Sequence, residues 1–124
     1  MSELIAYLPE VFELFGPVTL RKMFGGYGVY HDGLMFALVA DDILYLKADA
    51  ENVRYFDEQG LGQFEYHRDG KVAKLSYYQA PVEFMEEREQ AAIWARRSYD
   101  AALRAQRKKR KSKTDTAKPW RDTL

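Results

Sequence analysis

The sequence contains no cysteine. That excludes disulfides, thiolate nucleophiles, iron–sulfur clusters and zinc held by cysteine. Histidine is nearly as scarce. His31 and His67 are the only two, so a metal site would rest mainly on carboxylates. Long hydrophobic runs are missing as well. The longest uncharged apolar stretch, residues 34–40, is far short of the ~20 residues that a membrane-spanning helix needs. The first residues carry Glu3, Glu10 and Glu13 where a signal peptide would carry basic residues and a cleavage site. These absences predict a cytoplasmic protein with no membrane partner, no metal and no cofactor. Net charge is absent too, with 19 Lys and Arg against 19 Asp and Glu, and at first sight this disfavours a nucleic-acid partner.

What is present qualifies that reading. The chain of 124 residues is 47% apolar, with nine Tyr, seven Phe and two Trp. That suits one domain with one core. The charges are segregated. Residues 1–100 hold 10 Lys and Arg against 17 Asp and Glu, a net −7, and residues 101–124 hold 9 against 2, a net +7. Neutrality is therefore an acidic body cancelled by a basic end. We expect a folded unit over residues 1–105 and a flexible basic tail over residues 106–124.

Leu4, Ile5, Leu8, Val11, Phe12 and Phe15 form one helical face over residues 2–15. Ser2 is placed to cap it, Pro9 to kink or restart it, and Gly16-Pro17 to end it. The period then changes to that of strands at residues 18–24, 27–30, 35–40 and 43–47. The turns between the later ones are Asp32-Gly33 and Asp41-Asp42, and Asp-Gly is a strong hairpin signal. Asp49 is placed to cap a short helix over residues 50–59, closed by Gly60. Residues 63–67 and 72–78 flank a second hairpin signal, Asp69-Gly70. Acidic residues from Glu83 to Glu89 suit the start of a last helix, whose apolar face is Ala91, Trp94, Ala95, Ser98, Ala101, Ala102 and Ala105. This helix is expected to fray near Gln106. The order is α-β-β-β-α-β-β-α. Strands joined by hairpins cannot be parallel, so the class is α+β, two-layered, with an antiparallel sheet of about five strands.

The run Arg21-Lys22-Met23-Phe24-Gly25-Gly26-Tyr27-Gly28-Val29-Tyr30 resembles the N-terminal domain of the TfoX/Sxy family. The likeness continues through residues 35–42, Leu44-Tyr45-Leu46-Lys47, Phe64, Tyr66, Ser76-Tyr77-Tyr78 and Trp94-Ala95-Arg96, and it covers roughly residues 8–105. The resemblance implies a two-layer α/β domain, often dimeric, with no established enzymatic activity. It also implies a bacterial, transcription-linked role, since full-length members act as co-activators with the cyclic-AMP receptor protein and carry a second, helical domain. After residue 105 this sequence has only its basic tail.

Three sites are candidates. The Gly25-Gly26 turn, with Arg21, Lys22, Tyr27 and Tyr45, would suit a small anion if a pocket forms there. A structural bend is the favoured alternative. The cluster Arg107, Lys108, Lys109, Arg110, Lys111 and Lys113 would bind nucleic acid without sequence preference, against the alternative of a solvated extension. Strand aromatics, Tyr77 and Tyr78 among them, would supply one exposed ring for a dimer interface. His31 and His67 read as solvated turn residues, and no catalytic constellation is recognisable. The expectation is a non-enzymatic regulatory domain with a protein partner or a second copy of itself.

Overall fold

The computed structural model describes residues 3–23 and 25–122, with side chains described as far as Lys109. Ser2 and Phe24 lie outside the described residues. The elements are α1 (Glu3–Val11), β1 (Thr19–Met23), β2 (Gly26–His31), β3 (Leu34–Ala40), β4 (Ile43–Lys47), α2 (Val53–Asp57), β5 (Gln63–Arg68), β6 (Lys71–Gln79), a 3-10 turn at Val82–Phe84, and α3 (Arg88–Asp122). All six strands form one antiparallel sheet in the order β1-β2-β3-β4-β6-β5. The expected α+β architecture is present, with six strands where about five were expected. The stretch over residues 18–30 divides into two paired strands at Gly25.

Three hairpins share one device. Asp32-Gly33, Asp41-Asp42 and Asp69-Gly70 are two-residue turns in which both residues have positive φ. That matches the right-handed twist of the strands they join, and aspartate tolerates the conformation better than most residues. The α1 face packs as its spacing predicts. Ile5, Leu8, Val11 and Phe12 are buried, with Leu4 and Phe15 against them. Pro9 lies inside α1, so the helix does not restart there.

One core fills the space between the helices and one face of the sheet. Phe12, Phe36, Phe56, Phe84 and Trp94 are its large members. Val29 pairs with Ala37 but Tyr30 pairs with Met35, which leaves Phe36 as the extra residue of a bulge. The bulge lets the adjacent residues Phe36 and Ala37 both enter the core.

The last helix starts at Arg88, inside the acidic stretch from Glu83 to Glu89, after Pro81 leads into the 3-10 turn. One expectation about it is corrected: it does not fray near Gln106 but continues to Asp122. Lys, Arg and Ala are good helix formers, and residues 106–118 contain no glycine or proline. Tyr99, unforeseen as an anchor, is buried beside Trp94's helical face. Among the described residues no helix is long and apolar enough to cross a membrane.

Asp49 ties α3 to the sheet. Its carboxylate accepts from the backbone N–H groups of Glu51 and Asn52 at 3.0 and 3.2 Å, holding the turn that leads into α2. It also accepts from Arg104 Nε at 2.6 Å and Nη2 at 3.0 Å. The Arg104 hydrogen bond, helped by the two N–H groups and opposed by desolvation, holds the carboxyl below its ordinary value of 3.8. A folded-state pKa below the unfolded one stabilises fully above the unfolded value, and the gain is lost as pH falls through the folded value. A urea-midpoint series between about pH 5 and pH 2 is expected to fall less steeply in Asp49→Asn than in the wild type. Parallel curves would show that Asp49 is not a source of acid sensitivity.

Candidate functional site

The helices cover one face of the sheet. Alternation along the strands sends Met23, Gly26, Gly28, Tyr30, Met35, Leu38, Tyr45, Lys47, Leu75 and Tyr77 to the other. β1 and β5 are the two edges of the sheet, five inter-strand spacings apart, or roughly 24 Å if it were flat. Yet Met23 of β1 and Phe64 and Tyr66 of β5 line a single cavity of about 140 Å³, together with Gly26, Leu38 and Leu75. The sheet is therefore curled, with its helix-free face on the inside. Two irregularities promote the curl, the bulge at Phe36 and a register shift between Gln63 and Glu65, since bulges increase local twist.

The curl explains why residues on this face are covered without a helix above them. Leu38 is 6% exposed and Tyr77 9%. The Tyr45 and Phe64 rings lie 4.8 Å apart, bridging over β6. Tyr78, on the opposite face, stacks on Phe56 at 5.3 Å. The expectation that one of Tyr77 and Tyr78 is exposed is thus corrected: the core takes one and the concave face takes the other. Over Gly28 the sulfur atoms of Met23 and Met35 converge, each 2.9 Å from where a Cβ would sit. The cavity on this face is apolar, with two adaptable methionines and a ring of tyrosines beside it, and the face also carries Arg21 and Lys47.

Its chemistry is that of contact. Burial, with Tyr30 nearby, pushes the Tyr77 phenol up to about 12. Burial and Asp41 raise Tyr45. Both rings keep their protons at neutral pH and serve as apolar bodies with a hydrogen-bonding tip. Among the described residues no group of three or more His, Asp or Glu is arranged to hold a metal ion.

Of the residues expected around the Gly-Gly turn, Gly25, Gly26 and Tyr27 share one small cavity, and Arg21, Lys22 and Tyr45 do not line it. Arg21 lies over the Tyr30 ring at 4.9 Å, Lys22 is exposed on the edge strand β1, and Tyr45 is engaged with Phe64. Gly25 turns with φ +79°, while Gly26 is pressed against the Val39 carbonyl, which a Cβ would overlap. The cavity beside the turn, lined also by Ile5 and Val39, has Asp41 and Asp42 as its charged groups. That is the wrong sign for an anion.

His31 is not a solvated turn residue. Its ring packs 4.6 Å from Phe15 and 5.0 Å from Tyr99. Nδ1 lies 2.7 Å from the Pro17 carbonyl, which can only accept, so Nδ1 carries the proton. The residue pins the loop after α1 to the sheet. His67 is exposed beside Glu65 at 3.7 Å.

Of the expected basic cluster, Arg107, Lys108 and Lys109 are exposed on α3. The side chains of Arg110, Lys111 and Lys113 lie outside the described residues. Sequence reasoning missed Lys47 and Ser76, which α3 passes with its basic segment. Lys47 Nζ donates to Ser76 Oγ at 3.1 Å and stands 5.1 Å from the Tyr77 ring centre. Desolvation lowers its pKa, although Asp49 opposes this. The two residues are 29 positions apart in sequence, and only the pairing of β4 with β6 brings them together.

Comparison with known proteins adds a family. The model of the TfoX N-terminal domain matches residues 10–102. The DNA transformation protein TfoX1 of Aliivibrio fischeri (strain ATCC 700601 / ES114) is 33% identical over 63 residues, 51% of this chain and 30% of that protein. Protein Sxy of Escherichia coli (strain K12) is 27% identical over 95 residues, 77% of this chain and 46% of that protein. The chain thus spans less than half the length of these curated relatives.

Proposed function

Because the chain belongs to the TfoX N-terminal domain family, we propose that it is a non-enzymatic regulatory domain, transcription-linked and of the competence type, that docks a protein on the concave face of its sheet. The observation that carries this reading is the cavity joining Met23 of β1 to Phe64 and Tyr66 of β5. Its lining is apolar, so it offers contact area in place of acid–base chemistry. Aromatic and methionine side chains are enriched in the centres of protein interfaces. The partner is a protein, a second copy of this chain included. The regulatory role is supported by the name of one relative as a DNA transformation protein.

Leu75 tests the reading. It lines the cavity and is 38% exposed, so Leu75→Glu is expected to cost about 1 kcal/mol of stability or less. Placed at the centre of an interface, the same charge is expected to weaken docking by about 2 kcal/mol or more. In a host lacking the gene, the wild-type chain should restore the altered transcripts, and Leu75→Glu should fail to restore them while accumulating to the same level. Light scattering on the two purified chains reports whether the partner is a second copy. Full restoration by Leu75→Glu would overturn the concave face as the docking site.

A further inference from the structure

A second feature lies at the Lys47 end of β4, where β6 brings Ser76 beside it. Where α3 passes the ends of β4 and β6, a cleft of about 550 Å³ opens, and its polar lining is Lys47, Ser76, Asp49, Glu51, Arg104, Arg107 and Lys108. The charges in it are not equivalent. Arg104 is held by Asp49 at 2.6 Å and by Glu51 at 3.0 Å, so this wall is fixed in place and its one cation is spent on two carboxylates. Lys47, Arg107 and Lys108 have no carboxylate within 4.0 Å among the described residues. Three cations with no carboxylate in salt-bridge contact thus share a cleft with one hydroxyl, although Asp49 acts on Lys47 from farther off.

The donor geometry suits an oxyanion. An ammonium has three N–H bonds, and the Lys47 Nζ spends one on Ser76 Oγ. Because Lys47 donates to that oxygen, the Ser76 hydroxyl proton is free to donate onward. Ammonium and hydroxyl therefore stand side by side on one cleft, and lysine is a common phosphate binder. Lys47 is already partly desolvated, and a bound anion would offset that cost.

We propose that this cleft seats a phosphate of a duplex nucleic-acid backbone, with Lys47 and Ser76 holding one phosphodiester and Arg107 and Lys108 contacting its neighbours. A polyanion is favoured over a small phosphate ester because the cations do not stop at the cleft. The helix continues to Asp122, and the sequence continues with Lys109, Arg110, Lys111 and Lys113. A single small anion would use one or two of these, whereas a duplex presents a charge every ~1.7 Å of its axis. The contact is to backbone, so it positions the domain on nucleic acid without reading sequence. It supplies the folded domain with a fixed anchor that a basic tail alone would lack.

The test uses the full chain and a fluorescein-labelled DNA duplex, with anisotropy measured between about 50 and 200 mM salt. The wild type is expected to bind with an affinity that falls linearly in log–log form. Lys47→Gln should lower affinity about tenfold and make the salt slope shallower by about 0.9. Ser76→Ala should lower affinity and leave the slope unchanged, since no charge is removed. Lys71→Gln, which removes an exposed cation from the β5–β6 hairpin, should match the wild type. Lys47→Arg keeps the charge and should retain the slope, which separates lost contact from lost fold. DNA binding does not use the concave cavity, so failure here is distinct from failure of that docking face. The seat is overturned if the wild type shows no salt-dependent binding. It is also overturned if only Arg107→Gln and Lys108→Gln weaken binding while Lys47→Gln and Ser76→Ala behave as Lys71→Gln does. Inhibition by inorganic phosphate alone, with no binding of the duplex, would reassign the cleft to a small anion and overturn the proposal.

Discussion

Phe12→Ala is expected to lower the unfolding free energy by about 3–5 kcal/mol, against a total of roughly 5–15 kcal/mol for a domain. The side chain is fully buried. Its ring meets Phe36 at 5.4 Å, Phe84 at 5.5 Å and Phe15 at 6.2 Å, all edge-on. These contacts join three parts of the chain that nothing local connects: the end of α1, the bulge of β3 and the 3-10 turn before α3. Truncation removes burial worth about 2–3 kcal/mol and several ring contacts worth about 0.5–1.5 kcal/mol each. It also leaves a cavity that the rigid bulge cannot collapse into. Leu14 is the matched control, two residues along and 55% exposed, and Leu14→Ala should stay within about 0.5 kcal/mol. Urea titration decides the matter through its midpoint, with an unchanged slope showing that the unfolded state is not the cause. A loss below about 1 kcal/mol would mean that α1 is held elsewhere.

Local chemistry was legible in the sequence, and closure was not. The three two-residue turns were readable because Asp-Gly and Asp-Asp signal a backbone conformation that depends on few neighbours. Along β4, Leu44 and Leu46 enter the core while Tyr45 and Lys47 face the other way, as the period of a strand requires. The position of β6 between β4 and β5 was not readable, because a hairpin can add to a sheet by either of its strands. The curl that brings Met23 to Phe64 was hidden for the same reason. It depends on bulges, which appear only once strands are paired. Lys47, Ser76 and Arg107 come from three separate elements, so no spacing rule unites them. His31 was misread because Asp32-Gly33 marked its position as a turn, while its ring reaches back to Phe15 and Tyr99. The end of α3 was misplaced because a run of like charge reads as a tail. On a helix that has already nucleated, Lys and Arg extend it at little cost.

The Gly25-Gly26 pair, read from sequence as either a ligand cradle or a bend, yields the second large effect. Gly26→Ala is expected to cost at least about 3 kcal/mol, at or above the top of the usual range for overpacking. Gly25→Ala should cost about 1–2 kcal/mol. The order is the reverse of what backbone conformation alone would give. Gly25 has the left-handed φ of +79°, yet open space surrounds it, so alanine there bears only the local conformational penalty. Gly26 has an ordinary strand conformation, but its missing Cβ faces the Val39 carbonyl oxygen, with the Val39 carbonyl carbon at 3.2 Å and Ala40 Cα at 3.5 Å. These are backbone atoms and cannot rotate aside. A methyl group would have to push β2 away from β3, breaking ladder hydrogen bonds at the floor of the concave cavity that Gly26 lines. Gly28 provides the internal comparison. A Cβ there would meet the tips of Met23, Met35 and Tyr30, which are flexible enough to move, so Gly28→Ala should fall between the other two. Denaturant midpoints for the three variants give the ranking directly. If Gly26→Ala proves no worse than Gly25→Ala, the close approach of β2 to Val39 is not what keeps glycine in that strand. If the predicted order holds, the Gly-Gly pair works as a joint that lets the sheet curl, and the docking face depends on it through shape alone.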